Sequence, residues 1–460
     1  MILFILPLMA THLLQVFYNA ADVMIVELSG IENAVGAVGS SGAYLNLIVN
    51  IFIGFSVGAD VVVARNIGAK NSDGTRAAVH TSICMSIIFG LAGAVIGIVA
   101  AKPIYLLMGY SGDLLSLCLR YSYIYLIGLP FASLTNFLSA IMRAKGDTKT
   151  PLYVLSSAGL LNVLLNLFFV LVVGLSVEGV AIATAVANLA SSAVLFSLLS
   201  KDNGDCRIFA KKLRISKPAF LDICHIGFPS GIQNSFFSIS NMLIQSSILT
   251  VNNIKVPPEI YGDFAPVIKG NAAVTSLENF GFAALNSVSQ ASSTFTSQNV
   301  GVRDYRRVRR VLGSASLCAA VVAISVTILL IILRNPLLSL YGIENSGDFL
   351  SGIAYDTAMT RVWWKWIPFI LYALMNTAAG VLRGLGKSVT SATISFVGTC
   401  VFRVVWIFTV FEYFKNLESI YISYGISWVL TGIAFFICVG IILGKKAKEH
   451  EKSELSEIIN

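Results

Sequence analysis

A stripe of polar residues runs through an otherwise apolar segment near the start of the chain. The segment "LPLMATHLLQVFYNAADVMIVELSG", residues 6–30, carries Gln15, Asn19 and Asp22 at steps of four and three. These steps place the three side chains on one face of a helix. An ionised aspartate at the centre of a membrane helix costs about 2.5–3.5 kcal/mol on insertion scales and usually marks a functional site. The stripe favours a sheltered site for a proton or a cation over the alternative, an aspartate that only fixes helix packing.

Two later apolar segments also contain asparagine and threonine residues. Asn162 and Asn166 lie one helical turn apart in "LLNVLLNLFF", and Thr184 lies in "EGVAIATAVANLA". Amide and hydroxyl oxygens suit a hard cation such as sodium. The same groups equally suit hydrogen bonds between membrane helices. Their spacing alone leaves both interpretations open.

The second half of the chain repeats the polar stripe. Asn241 and Gln245 lie in one apolar segment, and Glu278 and Asn279 lie in the next, within "SLENFGF". Glu278 is interpreted as a group that binds a cationic substrate or a proton, with an ion pair to Lys269 as the structural alternative. The predicted substrate cavity combines both stripes: Gln15, Asn19, Asn241, Gln245, Glu278 and Asn279.

Two further charged residues in apolar segments receive no transport role from the sequence. Asp60 lies in "GADVVVAR" near Arg65, where a structural role is favoured. Arg403 lies within an apolar segment, where it either pairs with an acid or extends toward the membrane surface.

The composition is that of a polytopic membrane protein. The chain has 460 residues, of which 56% are hydrophobic and 12% are charged, about half the charged fraction of a soluble domain. The net charge of +8 does not indicate nucleic-acid binding, because the basic residues lie in short loops between apolar segments, where they orient a membrane protein. No nucleotide-binding, metalloprotease or Cys/His metal motif occurs. The prediction is therefore a non-enzyme without a cofactor; a membrane-embedded transferase and an ion channel are weaker alternatives.

Twelve apolar segments are long enough to cross a bilayer, which takes about 20 residues. They define an N-terminal lobe (1–200), a linker loop (201–224), a C-terminal lobe (225–444) and a charged tail (445–460). Most of the 32 basic residues lie in the even-numbered loops and the tail, so both termini are predicted to be cytoplasmic. The predicted spans are 2–28, 36–63, 77–101, 115–142, 152–174, 177–200, 225–250, 268–297, 309–334, 358–382, 388–411 and 418–444.

The two halves resemble each other in sequence. "ARNIGAK" (64–70) matches "SQNVGVR" (297–303), and "RAKGDTKT" (143–150) matches "RGLGKSVT" (383–390). Six spans separate the two copies, so both begin on the same side of the membrane. Transporters built from such parallel repeats hold their site between the halves near mid-membrane.

"YNAADVMIV", "ARNIGAKN", "RAKGDTKTP" and "LRGLGKSVT" resemble the multidrug and toxic compound extrusion (MATE) family over essentially the whole chain. The resemblance implies an all-α protein with two six-helix lobes in a V. It also implies export of small organic cations in exchange for inward sodium or protons. The protein is predicted to be a monomer in the cell membrane, surrounded by lipid. In similar members the ion site would correspond here to Asp22, Asn162, Asn166 and Thr184. Asn166 stands where many members have a second aspartate.

A flippase for lipid-linked intermediates is the second functional hypothesis. Such a protein would favour a cavity rich in arginine and lysine, because its cargo carries phosphate. The groups in the middle of the predicted spans are mostly asparagine, glutamine and acid. The sequence therefore favours the exporter of organic cations.

Overall fold

The computed structural model of the chain describes residues 1–31, 34–256, 265–344 and 349–459. All regular structure in these ranges is helical. Within them, eight helices are long and apolar enough to cross a membrane, and two bent helix pairs pass the same test as pairs. Two further long helices, over 217–255 and 266–301, are more polar than these and complete a bundle of twelve. The prediction of twelve spanning helices in two lobes is confirmed.

Six long helices form the N-terminal lobe. Their bounds are α1 (Ile2–Glu27), α2 (Ala34–Gly68), α3 (Ser72–Leu107), α4 (Gly112–Ile127 and Leu129–Lys145), α5 (Lys149–Val172) and α6 (Val177–Ser200).

Six more form the C-terminal lobe, with short additional helices at Ala210–Lys212 and Arg334–Ser339. Their bounds are α7 (Lys217–Lys255), α8 (Pro266–Gly301), α9 (Tyr305–Ile332), α10 (Phe349–Trp366 and Phe369–Gly384), α11 (Ser388–Phe414) and α12 (Leu417–Ile459).

Two spans that the sequence predicts as continuous are bent. The halves of α4 meet at 48° around Gly128, and those of α10 meet at 47° next to Pro368. Pro130 and Pro368 lie at these breaks, and proline removes a backbone donor and clashes with the preceding turn.

The connection between the lobes is shorter than the predicted linker. Helix α7 begins at Lys217 with Pro218 in its first turn, a position where the missing N–H costs nothing. The preceding loop packs on the start of α3, where Asp205 accepts hydrogen bonds from Ser72 at 2.7 Å and Arg76 at 3.1 Å. At the other end, α12 continues through the predicted tail to Ile459.

The outer surface of the bundle is apolar. Leu107, Val99 and Phe408 expose 87%, 73% and 73% of their surface, and many other large apolar side chains on the long helices are similarly exposed. Such a surface is stable against lipid chains rather than against water. The chain is therefore a multi-pass membrane protein.

A seam of glycines joins the lobes on the side that carries the most basic loops. Gly54 and Gly58 of α2 face Gly227 and Gly231 of α7, and a Cβ atom built at Gly54 would overlap the backbone of Gly231. The motif "GFSVG", residues 54–58, thus mediates the close helix packing expected of this spacing. We call these four residues the glycine seam. It holds the lobes together on this side of the bundle.

We expect Gly54→Ala to weaken the glycine seam, because the added methyl group would overlap backbone atoms of α7. Backbone atoms cannot move aside as the end of a flexible side chain can. Hydrogen–deuterium exchange of amides near Gly54 and Gly231 should then rise at least several-fold. The matched control is Gly440→Ala in α12, where a Cβ atom meets nothing within 4 Å. Equal exchange in the two variants would contradict this account of the seam.

Candidate functional site

Asp22 lies in a buried polar pocket inside the N-terminal lobe. It is 9% exposed, and Asn166 Nδ2 donates a hydrogen bond to Asp22 Oδ1 at 2.6 Å. Asn166 also contacts Asn162 at 3.3 Å, and Asn162 contacts the Thr184 hydroxyl at 3.2 Å. Helices α1, α5 and α6 therefore bring together the four residues that the sequence places in the ion site.

The pocket presents oxygen atoms that a small cation can use. When the Asn162 amide is turned over, its nitrogen donates to Asp22 Oδ1 at 2.9 Å and its oxygen accepts from Thr184 at 3.2 Å. The Asn166 Oδ1 atom is buried and has no hydrogen-bond partner among the described residues. Hard cations prefer carboxylate, amide and hydroxyl oxygens. The residues present fit sodium, and the Asp22 carboxylate can equally accept a proton.

A second polar space, the central cavity, lies between the two lobes. Its volume is about 690 Å³, and helices of both halves contribute to its wall. Asp22 is not part of this wall, although its neighbours on the α1 stripe are. All six residues of the predicted substrate cavity line it: Gln15, Asn19, Asn241, Gln245, Glu278 and Asn279. Their role in binding cargo stays a prediction.

The charge of the central cavity differs from the expectation. In the described part of the chain Glu278 is the one carboxylate in its wall. The wall also holds five lysine and arginine side chains: Arg143, Arg361, Lys365, Arg383 and Arg403. Asparagine and glutamine are the commonest polar residues of the wall, as expected, but the lysine and arginine side chains outnumber its carboxylate and make its net charge positive. The sequence did not predict this positive charge, which weakens the reason for ranking the flippase hypothesis lower.

Glu278 is held by basic partners and not by Lys269. Arg361 donates to both of its carboxylate oxygens, at 2.9 and 2.6 Å, and Lys365 Nζ lies 2.6 Å from Oε2. Trp366 Nε1 donates to Oε1 at 3.2 Å, whereas Lys269 donates to the Gly342 carbonyl. The interpretation of Glu278 as a free binding group for a cationic substrate is corrected accordingly. Arg361 and Lys365 lie on the first half of α10, just before its bend.

Two further arginines of the wall have neutral hydrogen-bond partners in the described part of the chain. Arg383 donates to Ser289 at 2.8 Å, and Arg403 donates to Ser427 at 3.1 Å. The Arg403 guanidinium also lies 4.1 Å from the centre of the Tyr424 ring. Arg403 therefore has no acidic partner among the described residues, and because it is 3% exposed it does not extend to the membrane surface.

Arg143 is 9% exposed, and its side chain forms no hydrogen bond or ion pair within the described ranges. Asp60 compensates its charge through an electrostatic interaction. Asp60 itself accepts a hydrogen bond from Thr294 of the other lobe at 2.7 Å. Asp60 thus contributes a hydrogen bond to the contact between the lobes, which is a structural role.

A two-lobed helical bundle with a polar cavity between matching halves defines a membrane transporter. The chain belongs to the MatE family, whose model matches residues 7–168 and 268–409, one stretch in each half. It is therefore a transporter of the multidrug efflux class and not an enzyme.

Named relatives cover nearly the whole chain. The probable multidrug resistance protein YoeA of Bacillus subtilis is 24% identical over 100% of this chain and 95% of its own length. The probable multidrug resistance protein NorM of Thermotoga maritima is 23% identical over 89% and 85%. A solved transporter from Pyrococcus furiosus, described as having a binding pocket of reverse polarity, has a TM-score of 0.87 and 19% identity over 96% and 95%. These likenesses support a carrier of small molecules in the cell membrane.

Proposed function

We propose that this protein is a secondary active antiporter that exports small molecules in exchange for an inward proton or sodium ion. The observation that carries the proposal is the Asp22 pocket. Asp22 is buried, is bonded to Asn166, and has no basic partner among the described residues. Burying a carboxylate without a basic partner inside a membrane costs free energy, and residues of this kind mark functional sites.

The pocket also connects mechanically to the other lobe. Helix α1 carries Asp22 at one end, while His12 Nδ1 lies 2.8 Å from the Ser287 hydroxyl and Phe17 packs edge-to-face on Phe280, both on α8. Pro7 lies within the same helix and provides a place for it to bend. An ion at Asp22 would therefore change how α1 rests against α8, and with it the shape of the central cavity.

Antiport requires that the ion and the cargo disfavour each other's state, because a ligand shifts a conformational equilibrium only through its differential affinity for the two states. The glycine seam closes the cavity on the side of the basic loops. We assign this side to the cytoplasm, with both termini there. Ion binding would then favour opening of the glycine seam, and the ion would leave toward the cytoplasm. The protein would work as a monomer surrounded by lipid.

The cargo was expected to be organic cations, the class that the family resemblance implies. The basic wall of the cavity argues against this class, and the names of the relatives support only small molecules in general. The wall does fit the charge expected of the flippase hypothesis, but the multidrug exporters among the relatives favour a soluble small-molecule cargo. The nature of that cargo is treated separately below.

The test is transport by the purified protein in liposomes, with a sodium gradient and a pH gradient imposed one at a time. A panel of fluorescent cations and anions serves as tracer. We expect one of the two gradients to accelerate tracer movement at least severalfold over protein-free liposomes. Transport that is indifferent to both gradients would contradict the antiport proposal.

A further inference from the structure

We propose that the central cavity binds organic anions that carry an aromatic ring. This inference rests on the proposed function in one respect, namely that the central cavity is where the cargo binds. It is carried by the charge and the aromatic side chains of the cavity wall. The expected cargo has a carboxylate, sulfonate or phosphate group attached to a ring system that fits a space of about 690 Å³.

The positive charge of the wall does not depend on the state of its lysine. Four of the five basic residues are arginines, which remain protonated in proteins. Glu278 is the lining carboxylate, and Asp60 is a buried acid that interacts with Arg143 from outside the wall. Counting both acids, the four arginines still leave an excess of positive charge.

The carboxylate of Glu278 is not available to a cationic cargo. Three donors already occupy it: Arg361, Lys365 and Trp366. A cation that entered this part of the cavity would have to displace Arg361 or Lys365, each of which is itself buried. Leaving such a charge without its partner is strongly unfavourable.

Arg143 and Arg383 are the best-placed groups for an anion. They are equivalent in the two copies of the repeat, "RAKGDTKT" and "RGLGKSVT", and both line the same cavity from α4 and α10. In the described part of the chain neither forms an ion pair with a carboxylate; Arg383 donates to Ser289. A planar guanidinium can bind a carboxylate or phosphate through two parallel hydrogen bonds.

Aromatic side chains line the cavity beside the arginines. Tyr372, Tyr424 and Trp428 form a packed cluster with ring centres 5.5 to 5.8 Å apart in successive pairs, and all three belong to the wall. Such rings provide stacking and edge contacts for a flat ligand. Anion-binding groups and an aromatic surface in one space are what an aromatic anion requires.

The experiment compares two dyes that share a xanthene ring and differ in charge. Binding of anionic fluorescein and cationic rhodamine 123 to the purified full-length protein in detergent is measured by fluorescence polarisation at pH 8, with no gradient present. We expect fluorescein to bind at least about tenfold more tightly, given what one charge-assisted hydrogen bond contributes. Tighter binding of rhodamine 123 would overturn the proposal.

Variants locate the anion within the cavity. Arg383→Gln should weaken fluorescein binding roughly 10- to 100-fold, and Arg383→Lys should retain part of the affinity because it keeps the charge. The matched control is Arg310→Gln, at an exposed arginine of α9, which should bind as the unmodified protein does. If Arg310→Gln weakens binding as much as Arg383→Gln, the anion binds elsewhere and the proposal is wrong.

The anionic group of the cargo can belong to a soluble molecule or to a lipid headgroup. Competition by phosphatidylglycerol in nanodiscs, where neutral phosphatidylcholine does not compete, would assign it to a lipid; absence of competition would assign it to a soluble anion. Equilibrium binding requires no ion gradient. Failure of gradient-driven transport therefore counts against the antiport proposal alone, whereas failure to bind fluorescein counts against the anionic cargo alone.

Discussion

Asp22→Asn is expected to abolish the stimulation of transport by an ion gradient, lowering the stimulated rate at least about tenfold. The asparagine side chain still fits beside Asn166, which now donates to Asp22 at 2.6 Å, but it can neither take up a proton nor supply a carboxylate oxygen to sodium. The measurement is tracer movement in liposomes under the gradient that drives the unmodified protein.

The control for this variant is Asp356→Asn, which removes the same charge from an exposed position on α10. This variant should transport the tracer at the same gradient-stimulated rate as the unmodified protein. Both variants should elute as the unmodified protein does in size-exclusion chromatography. Gradient-stimulated transport by Asp22→Asn at the unmodified rate would refute the role of the pocket as the coupling site.

Glu278→Gln is expected to have the largest effect on stability. The carboxylate is buried between Arg361 and Lys365, at 2.6 Å from a nitrogen of each. Its neutralisation leaves two buried cations without their counter-charge, and breaking a buried ion pair in this way costs about 3–5 kcal/mol. The measurement is the midpoint of thermal unfolding in detergent, compared at one heating rate because membrane proteins often unfold irreversibly.

Two further variants test that explanation of the Glu278 effect. Glu412→Gln breaks an exposed ion pair with Lys415, whose side chains are 65% and 47% exposed, and should change stability by less than about 1 kcal/mol. Adding Lys365→Met to Glu278→Gln removes one of the unpaired cations and should recover part of the lost stability. A Glu278→Gln variant that unfolds at the same temperature as Glu412→Gln would show that the cluster is not what stabilises this lobe.

The bundle was largely predictable because a bilayer demands long apolar segments, and the chain supplies them with few ambiguities. The Asp22 pocket was also within reach of the sequence. Asn162 and Asn166 are one helical turn apart, and the family resemblance joined them to α1 and α6. The resemblance did not predict that Asn166 Oδ1 lacks a hydrogen-bond partner among the described residues, because hydrogen-bond partners depend on side-chain packing.

The basic wall of the cavity was missed for two physical reasons. Arg361 and Lys365 lie near the edge of a predicted span, where long basic side chains normally extend to the membrane surface. Both instead point into the bundle and contact Glu278 of α8. Arg143 and Arg383 lie near the ends of α4 and α10, so they were counted as loop charges that orient the protein. Placing these four side chains in the cavity wall would have required the position of α8 in the folded protein.

The carboxylate of Asp22 lies within one lobe, whereas the arginines surround the space between the lobes, so opposite charges are held at separate places in the membrane. A positive ion moving inward and a negative cargo moving outward would both carry current in the same direction. A potential of 100 mV, negative inside, would contribute about 2.3 kcal/mol for each elementary charge moved in this sense. Voltage could then sustain export after the chemical gradient of the ion has been spent.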